Sequence, residues 1–128
     1  MSTYYENALR FKGAPYKSGG MDINGMDCSG LVNAATGQKN RVWSTSAGKP
    51  PGNWQEIKPN AVHLQSHDNF IKLLKKGDLL LWKGHVAFFA GGVQLFHART
   101  AGKPTDFTND LKLYWLNAKG YPTVYRQL

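Results

Sequence analysis

Helix signals come first along this sequence and strand signals follow, which predicts an α+β fold with N-terminal helices packed on a central antiparallel β-sheet. Two further observations support that class. The candidate strands are separated by the pairs Lys83-Gly84 and Gly91-Gly92, as in a meander of hairpins. The 128 residues fit a single domain, 1–128, able to bury a core without a disulfide or metal staple.

Thr3 and Glu6 have capping-box spacing, and Ala8, Leu9 and Phe11 follow before Gly13 and Pro15, so a short helix is expected over residues 3–12. Residues 13–26 are rich in glycine and read as an ordered loop. Asp27 is a good N-cap for a second helix over 28–35, which Gly37 stops. Residues 37–60 have no clear period, yet hold Trp43 and Trp54, so a long loop with buried aromatic anchors is expected; loops of this length in compact domains are often functional, for example as one wall of a cleft. Residues 68–76 read as a third helix with Phe70, Leu73 and Leu74 turned inward. Strands are expected over 79–82, 85–90, 93–98 and 123–126; residues 107–117 fit neither period.

Sixteen Lys and Arg against eight Asp and Glu give a net charge of +8, which favours polyanionic partners such as nucleic acid, an anionic cell envelope or an acidic protein. No helix-turn-helix, zinc-finger or aromatic RNA-binding motif accompanies the charge, so no specific nucleic-acid partner is expected. The longest apolar runs, Leu79–Trp82 and 86–90, fall far short of the ~20 residues of a membrane span, so no membrane insertion is expected. The first residues lack the apolar core of a secretory signal peptide. His63 and His67 stand four apart, but no third ligand completes a metal site; neither metal nor cofactor is expected.

The chemistry centres on Cys28, the only cysteine, at the first position after the Asp27 cap. A helix dipole contributes ~0.3–1 kcal/mol, too little to ionise a thiol of ordinary pKa ~8.5 at neutral pH. A second cation is needed, and an imidazolium is the usual one. His85 opens one predicted strand, and His97 falls near the end of the next, twelve residues on. The two rings face each other across the hairpin if residues summing to 182 pair around a three-residue loop, or if a bulge restores the parity; a two-residue Gly91-Gly92 loop puts them on opposite faces. In the first cases His85 is the base that takes the thiol proton, and His97 orients it. The Cys28 backbone N–H, at a helix N-terminus, is the natural first oxyanion donor.

Three segments resemble the NlpC-type cell-wall peptidases, a papain-like cysteine peptidase family. They are Gly13-Ala14-Pro15-Tyr16 with Gly19-Gly20, then Met26-Asp27-Cys28-Ser29-Gly30-Leu31-Val32, then Lys76-Gly77-Asp78-Leu79-Leu80 through His85-Val86-Ala87-Phe88-Phe89 to Phe96-His97-Ala98. The resemblance implies a papain-like fold, Cys28 as nucleophile, His85 as general base and His97 as the orienting third residue. It implies that Tyr16 lines the substrate cleft, and that Asp27 and Ser29, with Tyr16, hold the free amine of a stem peptide. Asp27 read from the residues alone is an N-cap. Ala87 stands where family members usually have glycine, and its extra methyl is expected to narrow the cleft.

The implied activity is hydrolysis of an amide bond in peptidoglycan stem peptides, with the γ-D-glutamyl–diamino acid bond as the family's usual target. A signal-less, basic, stand-alone peptidase of this kind fits delivery by a Sec-independent route, as for a type VI secretion effector with a cognate immunity protein. A phage-associated lysin, a cytoplasmic muropeptide-recycling enzyme and a non-catalytic wall-binding module on the same fold are the alternatives.

Overall fold

In the computed structural model, which describes residues 2–128, a six-stranded antiparallel sheet carries helices on both faces. Helix α1 (Tyr4–Leu9) begins at the expected capping box: Thr3 accepts from the Glu6 N–H, and the Glu6 carboxylate accepts from the Thr3 N–H. It is shorter than expected, because residues 10–12 tighten into turns with N–H groups bonded three residues back. The glycine-rich loop that follows folds into a two-rung ribbon of β1 (Met21–Asp22) and β2 (Gly25–Met26).

Helix α2 (Cys28–Ala35) has the expected bounds, with Asp27 Oδ1 accepting from the Gly30 N–H at 2.8 Å. Gly30 is required where it stands, since a Cβ there would fall on the Gly20 carbonyl oxygen. The long segment after α2 is pinned by the fully buried Asn33, which donates to the Ser29 and Trp43 carbonyls and accepts from the Val42 N–H. Trp43 and Trp54 are both buried, as expected of anchors. Trp54 does more than anchor: it opens strand β3 (Trp54–Ile57), which the sequence reading placed inside a loop.

Helix α3 (His67–Leu73) is capped by Ser66 and buries Phe70. The remaining elements are β4 (Leu79–Trp82), β5 (His85–Gly91), β6 (Gln94–His97), β7 (Asp106–Thr108), a π-helical segment (Leu111–Lys119) and β8 (Thr123–Gln127). The sheet order is β3-β8-β4-β5-β6-β7, so the last strand enters between β3 and β4. Asp78, just before β4, forms a two-pronged ion pair with Arg126 of β8 at 2.7 and 2.8 Å and also accepts from the Lys75 N–H. With Asp78 fully buried, this pair staples the two strands where the sequence carries Lys-Gly-Asp.

Alternation along the strands splits the core in two. Leu79, Val86, Phe88 and Phe96 face α1 and α2. Leu80, Ala87, Phe89, Leu95 and Val124 face α3 and the π-helical segment. Ala87 belongs to this second core, so its methyl fills packed interior and does not narrow a cleft as expected.

Candidate active site

Cys28 is partly buried at the first turn of α2, where the thiol meets the start of β5. The groups acting on it explain its state. Burial pushes its pKa up, and the nearby Asp27 charge does the same. The Val86 N–H and the N–H groups of Ser29 and of Cys28 itself point hydrogen-bond donors at the sulfur and pull the other way; the net shift is upward. The sulfur therefore sits beside the backbone that follows His85. No hydrogen bond joins it to the His85 ring, and the expected imidazolium is absent because burial keeps that ring uncharged.

His85 and His97 are brought together. His85 Nε2 and His97 Nδ1 lie 2.7 Å apart, and the ring planes stand at 71°. Of the two expected routes, the sum of 182 and a bulge that restores the parity, the strands take the bulge. Phe88 pairs with Phe96 and Phe89 with Leu95, while Gly91 pairs with Gln94, so a bulge at Ala90 intervenes and Gly92-Val93 forms the turn. Gly91 and Gly92 take φ of 96° and 59°, which the bulge and turn require. The bulge leaves the histidines on one face as diagonal neighbours, where long side chains still meet.

Trp115 of the π-helical segment closes over the pair. It stacks on His85 with centroids 4.3 Å apart at 13° and meets His97 edge-on at 5.8 Å. Burial is the main reason that both imidazoles are pushed down to about 3; the His97 ring adds to this at His85, and the Arg99 charge adds to it at both. At neutral pH the site thus holds two uncharged imidazoles and a protonated thiol. Beyond His85 opens a cleft of about 380 Å³ lined by Lys83, Arg99, Lys119, Tyr114 and Trp115 among others.

Asp27 and Ser29 are also brought together, by a residue that the sequence reading missed. Arg41 donates to Asp27 Oδ1 at 2.7 Å, to Ser29 Oγ at 2.6 Å and to the Gly20 carbonyl at 3.0 Å. Burial opposes the Asp27 charge, but Arg41 and the Gly19 and Gly30 N–H groups outweigh it and hold the carboxyl below its usual range. Tyr16 bridges to Met26 and lies close enough to Cys28 and Asp27 for their charges, after burial, to raise its phenol pKa. Thr108 and Asp110 were missed too: His97 Nε2 lies 2.9 Å from Thr108 Oγ1, which donates to Asp110 Oδ1 at 2.6 Å. Their segment carried no periodic signal, and Arg41 stands twelve residues past Ser29 in a loop, where spacing marks nothing. His63 lies in the turn before α3 and His67 opens that helix, so the two do not share a helical face.

A family model described as the NlpC/P60 family matches residues 13–118. A curated relative, "Protein P54" of Enterococcus faecium, is 33% identical over 101 residues, covering 75% of this chain. The chain spans only 17% of that protein's length. Among solved structures, the NlpC/p60 domain of the peptidoglycan hydrolase SagA superposes with a TM-score of 0.60 at 24% identity, covering 98% of this chain and 97% of that one. An NlpC/P60 family protein from Bacillus cereus gives a TM-score of 0.67 at 20% identity over 97% of this chain and 40% of its own. The peptidoglycan hydrolase RipB of Mycobacterium tuberculosis gives 0.61 at 22% identity over 96% and 64%. At these identities the structural likeness speaks for the fold: papain-like, with helices on a central antiparallel sheet.

Proposed function

The chain belongs to the NlpC/P60 family, and from that premise we propose that it is a cysteine peptidase hydrolysing an amide bond in the stem peptides of bacterial peptidoglycan, at the γ-D-glutamyl–diamino acid linkage. The observation that carries the reading is the 2.7 Å His85–His97 pair at the head of β5, where the Cys28 thiol meets the same strand. In this reading His85 takes the thiol proton as substrate closes the site, and Sγ attacks the scissile carbonyl. The Cys28 N–H at the start of α2 stabilises the tetrahedral oxyanion. His85 then gives its proton to the leaving amine as the C–N bond breaks. Water, deprotonated by the same ring, hydrolyses the thioester and regenerates the thiol.

The cations of the cleft beside His85 suit a leaving fragment that bears carboxylates. In this reading Tyr16, Asp27 and Ser29 belong to the acyl side. Arg41 already pairs with Asp27 and Ser29, so a free stem amine meets a bound guanidinium there, and stems whose amine is acylated are the better substrates in this reading.

Digestion of purified muropeptides followed by mass spectrometry tests the proposal. Fragments ending in glutamate, each cleavage adding one water, are expected; intact muropeptides after exhaustive digestion overturn it. The charge of +8 favours an anionic envelope, and with it the role of an antibacterial effector with an immunity partner. Toxicity on direction to the periplasm but not in the cytoplasm is the expected outcome. Harmlessness in both compartments, with muropeptide cleavage retained, assigns the chain to recycling instead.

A further inference from the structure

The histidine pair does not end at His97, and the order of its hydrogen bonds can be read from the far end. Asp110 is the terminus, and a carboxylate accepts hydrogen bonds without donating. The Thr108 hydroxyl spends its single proton on Asp110 Oδ1 at 2.6 Å, leaving only lone pairs toward His97. His97 Nε2, at 2.9 Å, must then carry the N–H. An uncharged imidazole has one N–H, so His97 Nδ1 is bare and accepts from His85 Nε2 at 2.7 Å. His85 in turn has no proton left for Nδ1. Both rings are uncharged because they are buried under Trp115, with the Arg99 cation beside them.

We propose that Thr108 and Asp110 are positioning residues that set the proton order of the pair, so that Nδ1 of His85 is the bare nitrogen presented to the thiol. Nδ1 is the ring nitrogen nearer the backbone, and the sulfur lies at the Val86 N–H, on that backbone. The reverse order places a proton on Nδ1 and leaves the thiol without an acceptor. Arg99 Nη1, 3.8 Å from Asp110 Oδ2, steadies the anionic end of the chain. The catalytic consequence rests on reading His85 as the base, but the proton order itself does not.

Long-range ¹H–¹⁵N correlation of the ring nitrogens in the substrate-free protein reads the order directly. Both His85 and His97 are expected to show a protonated Nε2 and a bare Nδ1; a protonated Nδ1 on either ring overturns the proposal. Thr108→Val removes the acceptor at nearly constant shape. It should mix the two tautomers and lower kcat on muropeptides by roughly 10- to 100-fold with KM unchanged, the scale on which loss of a histidine-orienting partner acts. Thr108→Ser should restore both. A folded Thr108→Val protein with native tautomers and native kcat overturns the proposal. Native tautomers in a wild-type protein that cleaves no muropeptide leave the relay standing and remove the proposed function.

Discussion

Acidification probes the uncharged state of the buried histidines. In the folded chain His85 and His97 are pushed down to about 3 from an ordinary 6.5, chiefly by burial. Between those values the unfolded chain binds more protons than the folded one, so stability is fully present above about pH 6.5 and is lost as the pH falls toward 3. At pH 5, about 1.5 units below the ordinary value, keeping one ring uncharged costs about 2 kcal/mol at ~1.4 kcal/mol per unit, and the pair about 4 kcal/mol. For a chain of this size that corresponds to a fall in melting temperature of about 10–20 °C. The Asp27 carboxyl, held below its usual range, keeps its full contribution above about pH 4 and so adds nothing to the slope between pH 7 and 5. Calorimetry from pH 7 to 5 measures the slope. The ring C–H resonances of His85 and His97 should stay unshifted over the range while those of a free histidine move. A flat melting temperature, or ring shifts that titrate near 6.5, would falsify the assignment of a buried neutral pair.

Three other outcomes follow from the same geometry. Arg41→Met strips Asp27 and Ser29 of their partner; with both ends of the ion pair only partly shielded, the expected loss is about 1–3 kcal/mol by urea denaturation, and an unchanged midpoint counts against the bridge. Arg126→Leu leaves the fully buried Asp78 carboxylate unpaired and should cost about 3–5 kcal/mol, while turnover per folded molecule stays native because the pair lies away from the cleft. Cys28 in the substrate-free protein should react with iodoacetamide more slowly than a free cysteine at pH 7, its rate rising only at alkaline pH, because burial and Asp27 hold the thiol protonated; fast alkylation at pH 5 contradicts that.

What local chemistry determines was legible from the residues. The Asp27 cap, the Gly37 stop and the apolar run between them place α2 at its observed bounds, because capping and termination act within one turn. The strands carrying the histidines were legible by alternation, but not their register, which the bulge at Ala90 sets. Strand β3 escaped because Trp54 pairs with Gln127, and an edge strand with two polar central residues takes its order from that distant partner. The π-helical segment owes its geometry to docking Leu111, Trp115 and Leu116 on the second core, so no single period marked it. Around Cys28, the place of the thiol at the start of α2 and the meeting of the two imidazoles were readable. Arg41, Thr108, Asp110 and the Trp115 cover were not, since each reaches the site through the tertiary fold.

In the proposed reaction the Cys28 sulfur attacks the stem-peptide amide. The direct measurement is the turnover of a purified disaccharide tetrapeptide by wild-type protein and Cys28→Ala, with melting temperatures recorded alongside. Cleavage by the wild type is expected, with a fall of more than about 10⁴-fold in a variant that melts as the wild type does. Turnover retained by the folded alanine variant contradicts it.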